Sequence, residues 1–332
     1  MSINYVEKSY DLVVVGGGLS GMCAAIAAAR HGVNTCIIQN RSVYGGNASS
    51  EVRMHIVGAN SHAAKRDLAE TGILLEMLLE NKRRNPYASF PVFDSIMWEF
   101  VHFQENLTPY LNTNMDDVVM EDGKIAAVIC HQNSTETELK IFGKIFIDAT
   151  GHGTLGVMAG VDSRMGSEGK AEHGEPNAPD MANTDTQGNT VMFSAIDRGE
   201  PVKFIKPKWA YTFSEEDLKY REHANSVGSH VDGGALVEFE EGSGRLPHFS
   251  NVDNGYWWIE LGGDWNDVIG QAEDIRWELY RLIYGVWDHI KNQPHKYINE
   301  KGEEAEMSHG AENYDLVWVG NMPGTRESRR LM

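Results

Sequence analysis

The sequence predicts an α/β fold: a parallel sheet with a β-meander, plus an inserted mixed α+β domain. Three observations carry this. A strand, a glycine turn, a helix and a second strand follow one another between residues 12 and 38. Two β-branched runs flank Glu121-Asp122-Gly123, a hairpin signal. A third strand, Lys144 to Asp148, runs into Ala149-Thr150-Gly151-His152-Gly153. A chain of 332 residues suits about two domains.

Leu12-Val13-Val14-Val15 is the short apolar run of a parallel strand covered on both faces. Gly16, Gly18 and Gly21 then stand in G-x-G-x-x-G spacing. Met22 to His31 is alanine-rich and helical, Gly32 stops it, and Val33 to Ile38 is the second strand. In this order the glycines have distinct tasks. Gly16 permits the tight turn, Gly18 lets the backbone approach a pyrophosphate, and Gly21 lets the helix lie against the sheet. The helix start at Leu19 and Ser20 offers free N–H donors and partial positive charge.

His62 to Arg84 reads as an amphipathic helix with Leu68, Leu75, Leu78 and Leu79 near one side, ended by Asn85-Pro86. Ser95 to Phe103 reads as another helix. Leu107 to Thr113 is a strand returning to the sheet, and Met115 to Met120 with Lys124 to Cys130 forms the hairpin. Gly166 to Gly188 is a loop or domain boundary. Lys203 to Trp209 is extended, and Ser214 to Asn225 opens with a cap and first-turn acids. Tyr256 to Leu261 reads as a strand and Gln271 to Lys291 as a helix. Its Trp277, Tyr280, Tyr284 and Trp287 recur on one side, which reads as core. Trp257 or Trp258 is better placed to stack on a sugar or cofactor ring. Tyr314 to Val319 is a last strand, expected to rejoin the first sheet.

Charge and cysteine content narrow the function. Lys and Arg number 29 against 48 Asp and Glu, a net charge of −19. Such a field repels phosphate backbones and anionic membranes, so the expected partner is a small-molecule substrate, with no nucleic acid and no membrane. The oligomeric state is not readable. Cys23, Cys36 and Cys130 lie in apolar runs without CxxC spacing, so no metal site is expected and a cytoplasmic location fits.

Gln39-Asn40-Arg41 ends the second strand where an acidic ribose binder is usual. Gln39 can accept a hydroxyl hydrogen bond, and Arg41 can be read as a 2′-phosphate binder. Gly45 and Gly46 allow close approach, while Asn47, Ser49 and Ser50 offer donors; alone, the same loop is a turn and a helix cap. From Gln39 to Arg53 the chain resembles the bacterial FAD-dependent oxidoreductases of the glutathione-reductase-like superfamily, whose sheet is the Rossmann-like FAD/NAD(P)-binding one. The resemblance implies that the Gly45-Gly46 pair lines the FAD pyrophosphate, that Gln39 is ordinary at its position, and that Ala149-Thr150-Gly151 passes the cofactor. Met115 is included among the FAD contacts. His152 stands where most relatives have Asp.

The expected organisation follows. Residues 1–60 and 105–160, with return strand 314–320, form the FAD domain. Residues 61–104 are a helical insertion, 161–313 a substrate or cap domain, and 321–332 the start of a truncated C-terminal segment. The expected function is hydride transfer between FAD and an organic substrate, with the resemblance implying a carbohydrate-derived one. An NAD(P)-dependent dehydrogenase and a catalytically silent nucleotide-binding module are the alternatives. Arg326, Arg329, Arg53 and His55 are the catalytic candidates: arginines for substrate charge, His55 for a proton. The bland readings are a basic tail for the Arg326 to Arg330 run and a buried structural histidine for His55.

Overall fold

Val13 and Val14 expose no surface, because they lie at the centre of a six-stranded sheet in the computed structural model. The structure describes residues 4–54, 56, 70–218, 259–261, 265, 267–298 and 301–332. The chain divides into two compact units, Met1–Asp185 with Ser328–Met332, and Thr186–Glu327.

In the first unit β1 (Asn4–Val15) leads through α1 (Leu19–Arg30) to β2 (Thr35–Ile38). Helices α2 (Gly72–Arg84) and α3 (Phe90–His102) precede β3 (Leu107–Tyr110). A meander of β4 (Thr113–Glu121), β5 (Lys124–Gln132) and β6 (Thr137–Asp148) follows, then α4 (Thr154–Met158), β7 (Ser163–Arg164) and α5 (Lys170–His173). The sheet order is β3-β2-β1-β6-β5-β4. β1 pairs in parallel with β2 and β6, and β2 with β3, while β4, β5 and β6 run antiparallel. The predicted α/β class and meander are both present.

Alternation along β1 builds both apolar layers. Leu12 and Val14 join Met22, Ile26 and Ala29 of α1 and Met97 and Val101 of α3. Val13 and Val15 join Cys36, Ile38, Val128, Cys130 and Ile141. Each such aliphatic side chain contributes about 1.5–3 kcal/mol by leaving water. The hairpin turn has Asp122 and Gly123 both at positive φ, as a two-residue connection between twisted strands needs.

Several boundaries differ from the expectation, each for a physical reason. β1 begins eight residues before Leu12, since its first half is a mostly exposed polar strand without an apolar run. α3 starts at Phe90, five residues early, with Pro91 in its first turn where a missing N–H is harmless. In α2 the buried residue is Met77, while Leu79 is exposed. Residues 62–69 of the expected helix lie outside the described residues.

The second unit has its own core. β8 (Asn189–Val191), β9 (Phe193–Asp197), β10 (Ile259–Leu261), α6 (Ala272–Asn292), β11 (His295–Ile298), β12 (Glu304–Met307), β13 (Tyr314–Val319) and β14 (Gly324–Thr325) follow in order. β15 (Arg330–Leu331) lies beyond the unit boundary and pairs with β7 in the first unit. The expected return of strand 314–320 to the parallel sheet does not occur: β13 pairs antiparallel with β9. An apolar run specifies burial but not which strand it meets. The expected boundary near 161 likewise falls at 186 in the structure. Trp257, Trp258 and residues 219–225 lie outside the described residues. No helix among the described residues is long and apolar enough to cross a membrane.

Candidate functional site

Register brings three strand ends together: Val15 of β1 lies opposite Ile38 of β2 and Asp148 of β6. Ligands of open parallel sheets bind beyond these carboxyl ends. Gly16 turns the chain out of β1 at φ +110°, its N–H donating to the Ile38 carbonyl. A Cβ there would stand 2.0 Å from the Ala149 carbonyl oxygen, and one on Gly21 would stand 2.0 Å from the Gly16 oxygen. Those two glycines are demanded by the protein's own packing.

Gly18 is different. Its backbone is extended, at φ −67° and ψ 173°, and a Cβ on it would have no described atom within 4 Å. No described residue forbids a side chain there, and the open space suits a ligand. Gly18 is also the N-cap of α1, which has neither a side-chain cap nor an acidic residue in its first turn. The donors at Leu19 and Ser20 therefore present partial positive charge at an open edge.

The second glycine pair closes on the first. Gly45 donates to the Gly17 carbonyl at 2.8 Å and bridges Gly18, and a Cβ on Gly46 would meet the Gly18 Cα at 3.2 Å. Gly45 and Gly46 both have positive φ. Across the cleft, Ala149 donates to the Val15 carbonyl and Gly151 turns at φ +80° with no described atom near its Cβ position. This backbone cradle of uncapped helix, glycine pair and Ala149-Thr150-Gly151 turn fits a dinucleotide pyrophosphate.

Other predicted contacts are spent inside the protein. Gln39 is buried, its Oε1 accepting from the Gly17 N–H at 2.9 Å and its Nε2 donating to the Val43 carbonyl at 3.1 Å. It braces the glycine turn instead of facing a ribose, which corrects the expected contact. Ser49 Oγ donates to the Gly46 carbonyl at 2.7 Å, so it too supports the turn. Met115 is buried in the apolar cluster with Val13 and Val15, which removes its side chain from ligand contact. Asn40 and Asn47 are exposed. Arg41 pairs with Glu51 at 3.1 Å, and a carboxylate there opposes the 2′-phosphate reading.

Two further residues matter here: Asp148, which carries no sequence signal, and His152, which departs from the pattern of its relatives. Asp148 Oδ1 accepts from the Thr150 N–H and hydroxyl at 3.0 and 2.7 Å, and Oδ2 accepts from the Gly156 N–H at 2.9 Å. It locks the Ala149-Thr150-Gly151 turn. We expect Asp148→Ala to destabilise the first unit by about 2–3 kcal/mol, because charge-assisted bonds are lost and the Thr150 and Gly156 N–H groups lose their acceptor. Urea melts of the two proteins check this, and an unchanged midpoint would remove the locking role.

His152 Nδ1 lies 2.7 Å from Ser328 Oγ. Burial, then the Arg329 and Arg41 charges, hold its pKa below the usual 6.5. Between 6.5 and that lower value the unfolded chain binds more protons, so stability falls as pH drops below about 6.5 and is level above. Melts at several pH values should show this slope in the wild type and lose part of it in His152→Gln. Parallel slopes would count against the assignment.

The arginine run is divided between the units. Arg329 and Ser328 belong to the first unit, whereas Arg326 belongs to the second and pairs with Glu260. Arg53 is half-buried at φ +64°, its guanidinium 5.6 Å from the Phe90 ring centroid. Burial lowers its pKa, with the Asp94 charge opposing. His55 lies outside the described residues.

A family model described as "FAD dependent oxidoreductase" matches residues 11–332. Among curated proteins, the chain is similar to the tRNA uridine 5-carboxymethylaminomethyl modification enzyme MnmG of Sulfurihydrogenibium sp. Identity is 23%, covering 98% of this chain and 59% of that protein. The enzyme of the same name from Streptococcus agalactiae is 30% identical over 46% of this chain and 25% of its own length. The chain thus spans less than two thirds of the length of each of these relatives. They overturn the expectation of no nucleic-acid partner, which rested on net charge, a global quantity that says nothing of a local surface. Solved structures that resemble it include a geranylgeranyl bacteriochlorophyll reductase-like protein from Thermoplasma acidophilum, at 17% identity, 58% and 48% coverage and TM-score 0.36. Another is glycerol-3-phosphate dehydrogenase from Bacillus halodurans complexed with FAD, at 14% identity, 64% and 51% coverage and TM-score 0.36.

Proposed function

The chain belongs to the FAD-dependent oxidoreductase family, and from that premise we propose that it transfers a hydride between an organic substrate and FAD held at the carboxyl end of the first sheet. The supporting observation is the open space in front of Gly18 at an uncapped helix start. Leu19 and Ser20 of α1, with Gly45 and Gly46, would hold the pyrophosphate, and Thr150 with Gly151 would border the cofactor. When bound, FAD supplies a two-electron hydride acceptor or donor.

The chain's own residues then manage charge and protons. Arg53 and Arg329 remain the candidates for holding a negative charge on the substrate. Arg326 stands apart from them in the second unit, where it pairs with Glu260. His152 is kept neutral at pH 7 by its surroundings, and with Nδ1 engaged by Ser328 its Nε2 is the atom that takes or gives a proton.

On the substrate, the relatives favour a second reading over a carbohydrate-derived compound. They are named for modifying uridine in tRNA, and a nucleobase ring is an organic group that flavin chemistry can act upon. The test has two arms. The purified chain is examined for visible flavin absorption, with the released cofactor identified by chromatography. A protein that remains colourless after FAD is added would overturn the cofactor assignment. Transfer RNA is then titrated into the yellow protein at rising salt. Binding that weakens steeply with salt supports the nucleic-acid substrate, and absence of binding at low salt returns the reading to small molecules.

A further inference from the structure

We propose that Glu215, His289 and His309 of the second unit form a site for one divalent first-row transition cation of the zinc type. Each residue offers a ligand atom, and the three atoms lie within 4.8 Å of one another. His289 Nε2 stands 3.1 Å from Glu215 Oε1, and His309 Nε2 stands 3.6 Å from the same oxygen. Zinc bonds of about 2.0–2.2 Å in tetrahedral array require ligand atoms roughly 3.3–3.6 Å apart. The His309–Glu215 separation equals that edge, the His289–Glu215 one is a few tenths of an ångström shorter, and all three atoms lie within 4.8 Å, so small side-chain adjustments would bring them round one ion.

The orientation of His289 supports the same conclusion. Its Nδ1 lies 3.0 Å from the Phe213 carbonyl, which only accepts, so Nδ1 carries the hydrogen. The ring is thereby fixed with Nε2 toward Glu215. A backbone carbonyl held by the distal ring nitrogen is the usual outer support of a metal-bound histidine. Both imidazoles are buried, 2% and 3% exposed, with ring centroids 5.2 Å apart. Two imidazoles and a carboxylate are the borderline N and O donors that zinc selects.

The three residues come from separate segments: the turn at Glu215–Leu218, helix α6, and the loop before β13. A cation would tie these segments to one another and, with three protein ligands, would keep a fourth position for water. No spacing motif announces it, since the residues stand 74 and 20 positions apart. The expectation of no metal rested on the cysteines alone, which take no part here. The competing account is an ion pair between histidine and Glu215 that needs no cation.

The test uses the full chain as purified, freed of metal by a chelator and titrated calorimetrically with Zn2+. One ion per chain is expected, with a rise in melting temperature that follows its concentration. His309→Gln should weaken the affinity by about 100-fold or more, and so should Glu215→Gln, a conservative change at a partly exposed residue. Co2+ in place of Zn2+ should give the visible bands of a tetrahedral N/O site, lost in both variants. The chain has 13 histidines, so weak binding that both folded variants retain would be adventitious and would overturn the site. So would the absence of stoichiometric binding in the wild type.

Discussion

Gly18→Ala gives a folded protein that binds FAD about 100-fold more weakly, a loss of about 2.7 kcal/mol of binding free energy. The folded state tolerates the methyl group, because the backbone there is extended and a Cβ meets no described atom within 4 Å. The cost to folding is about 1 kcal/mol or less, that of alanine at a helix N-cap. The cost to binding is large, because the methyl occupies the space a pyrophosphate needs to reach the N–H groups of α1. Gly21→Ala should do the opposite. Its Cβ would lie 2.0 Å from the Gly16 oxygen and 3.0 Å from the Ala149 Cβ, so the helix must move off the sheet. Stability should fall by about 1–3 kcal/mol or more, with FAD binding lost only as far as the fold is lost. Flavin fluorescence titration and urea melts on the same preparations separate the two effects. Wild-type affinity in Gly18→Ala would place the pyrophosphate elsewhere.

That contrast also shows what the sequence can state about this site. Glycine spacing is legible because few other residues can occupy a turn at φ +110° or a 2.0 Å approach, and strand and helix periods on either side fix its context. Position within the motif also separates Gly18 from Gly21, the first left open and the second pressed against the Gly16 oxygen. Polar side chains are read less well. Gln39, Ser49 and Arg41 have the right chemistry for a cofactor, yet each finds a partner inside the protein. A side chain's direction depends on neighbours that spacing does not announce, whether eight positions away, as Gly156 is from Asp148, or 176, as Ser328 is from His152. The cluster of Glu215, His289 and His309 is the extreme case, created by folding alone. Strand pairing in the second unit failed for a related reason: the apolar run of β13 was visible, but its partner β9 was not.

Trp287→Ala should destabilise the second unit by about 3–5 kcal/mol, the range for a large aromatic deleted from a core, while Trp277→Ala stays within about 0.5 kcal/mol. Both belong to one aromatic stripe of α6 and read alike in the sequence. In the structure the burial of α6 centres on Ile275, Leu279, Ile283, Val286 and Ile290, and the stripe runs obliquely off that face. Trp287 at its buried end exposes no surface and meets Phe193 edge-on at 5.9 Å, whereas Trp277 at the other end is 48% exposed. The indole Nε1 of Trp287 has no hydrogen-bond partner among the described residues, so its stabilisation comes from packing rather than from polar contact. Trp287→Phe, which keeps the ring and drops an unsatisfied donor, should therefore recover most of the loss. Urea melts of the three variants check the order. Equal losses for Trp277 and Trp287 would mean that the whole stripe is core, as its spacing alone suggests, and that another surface covers Trp277 in solution.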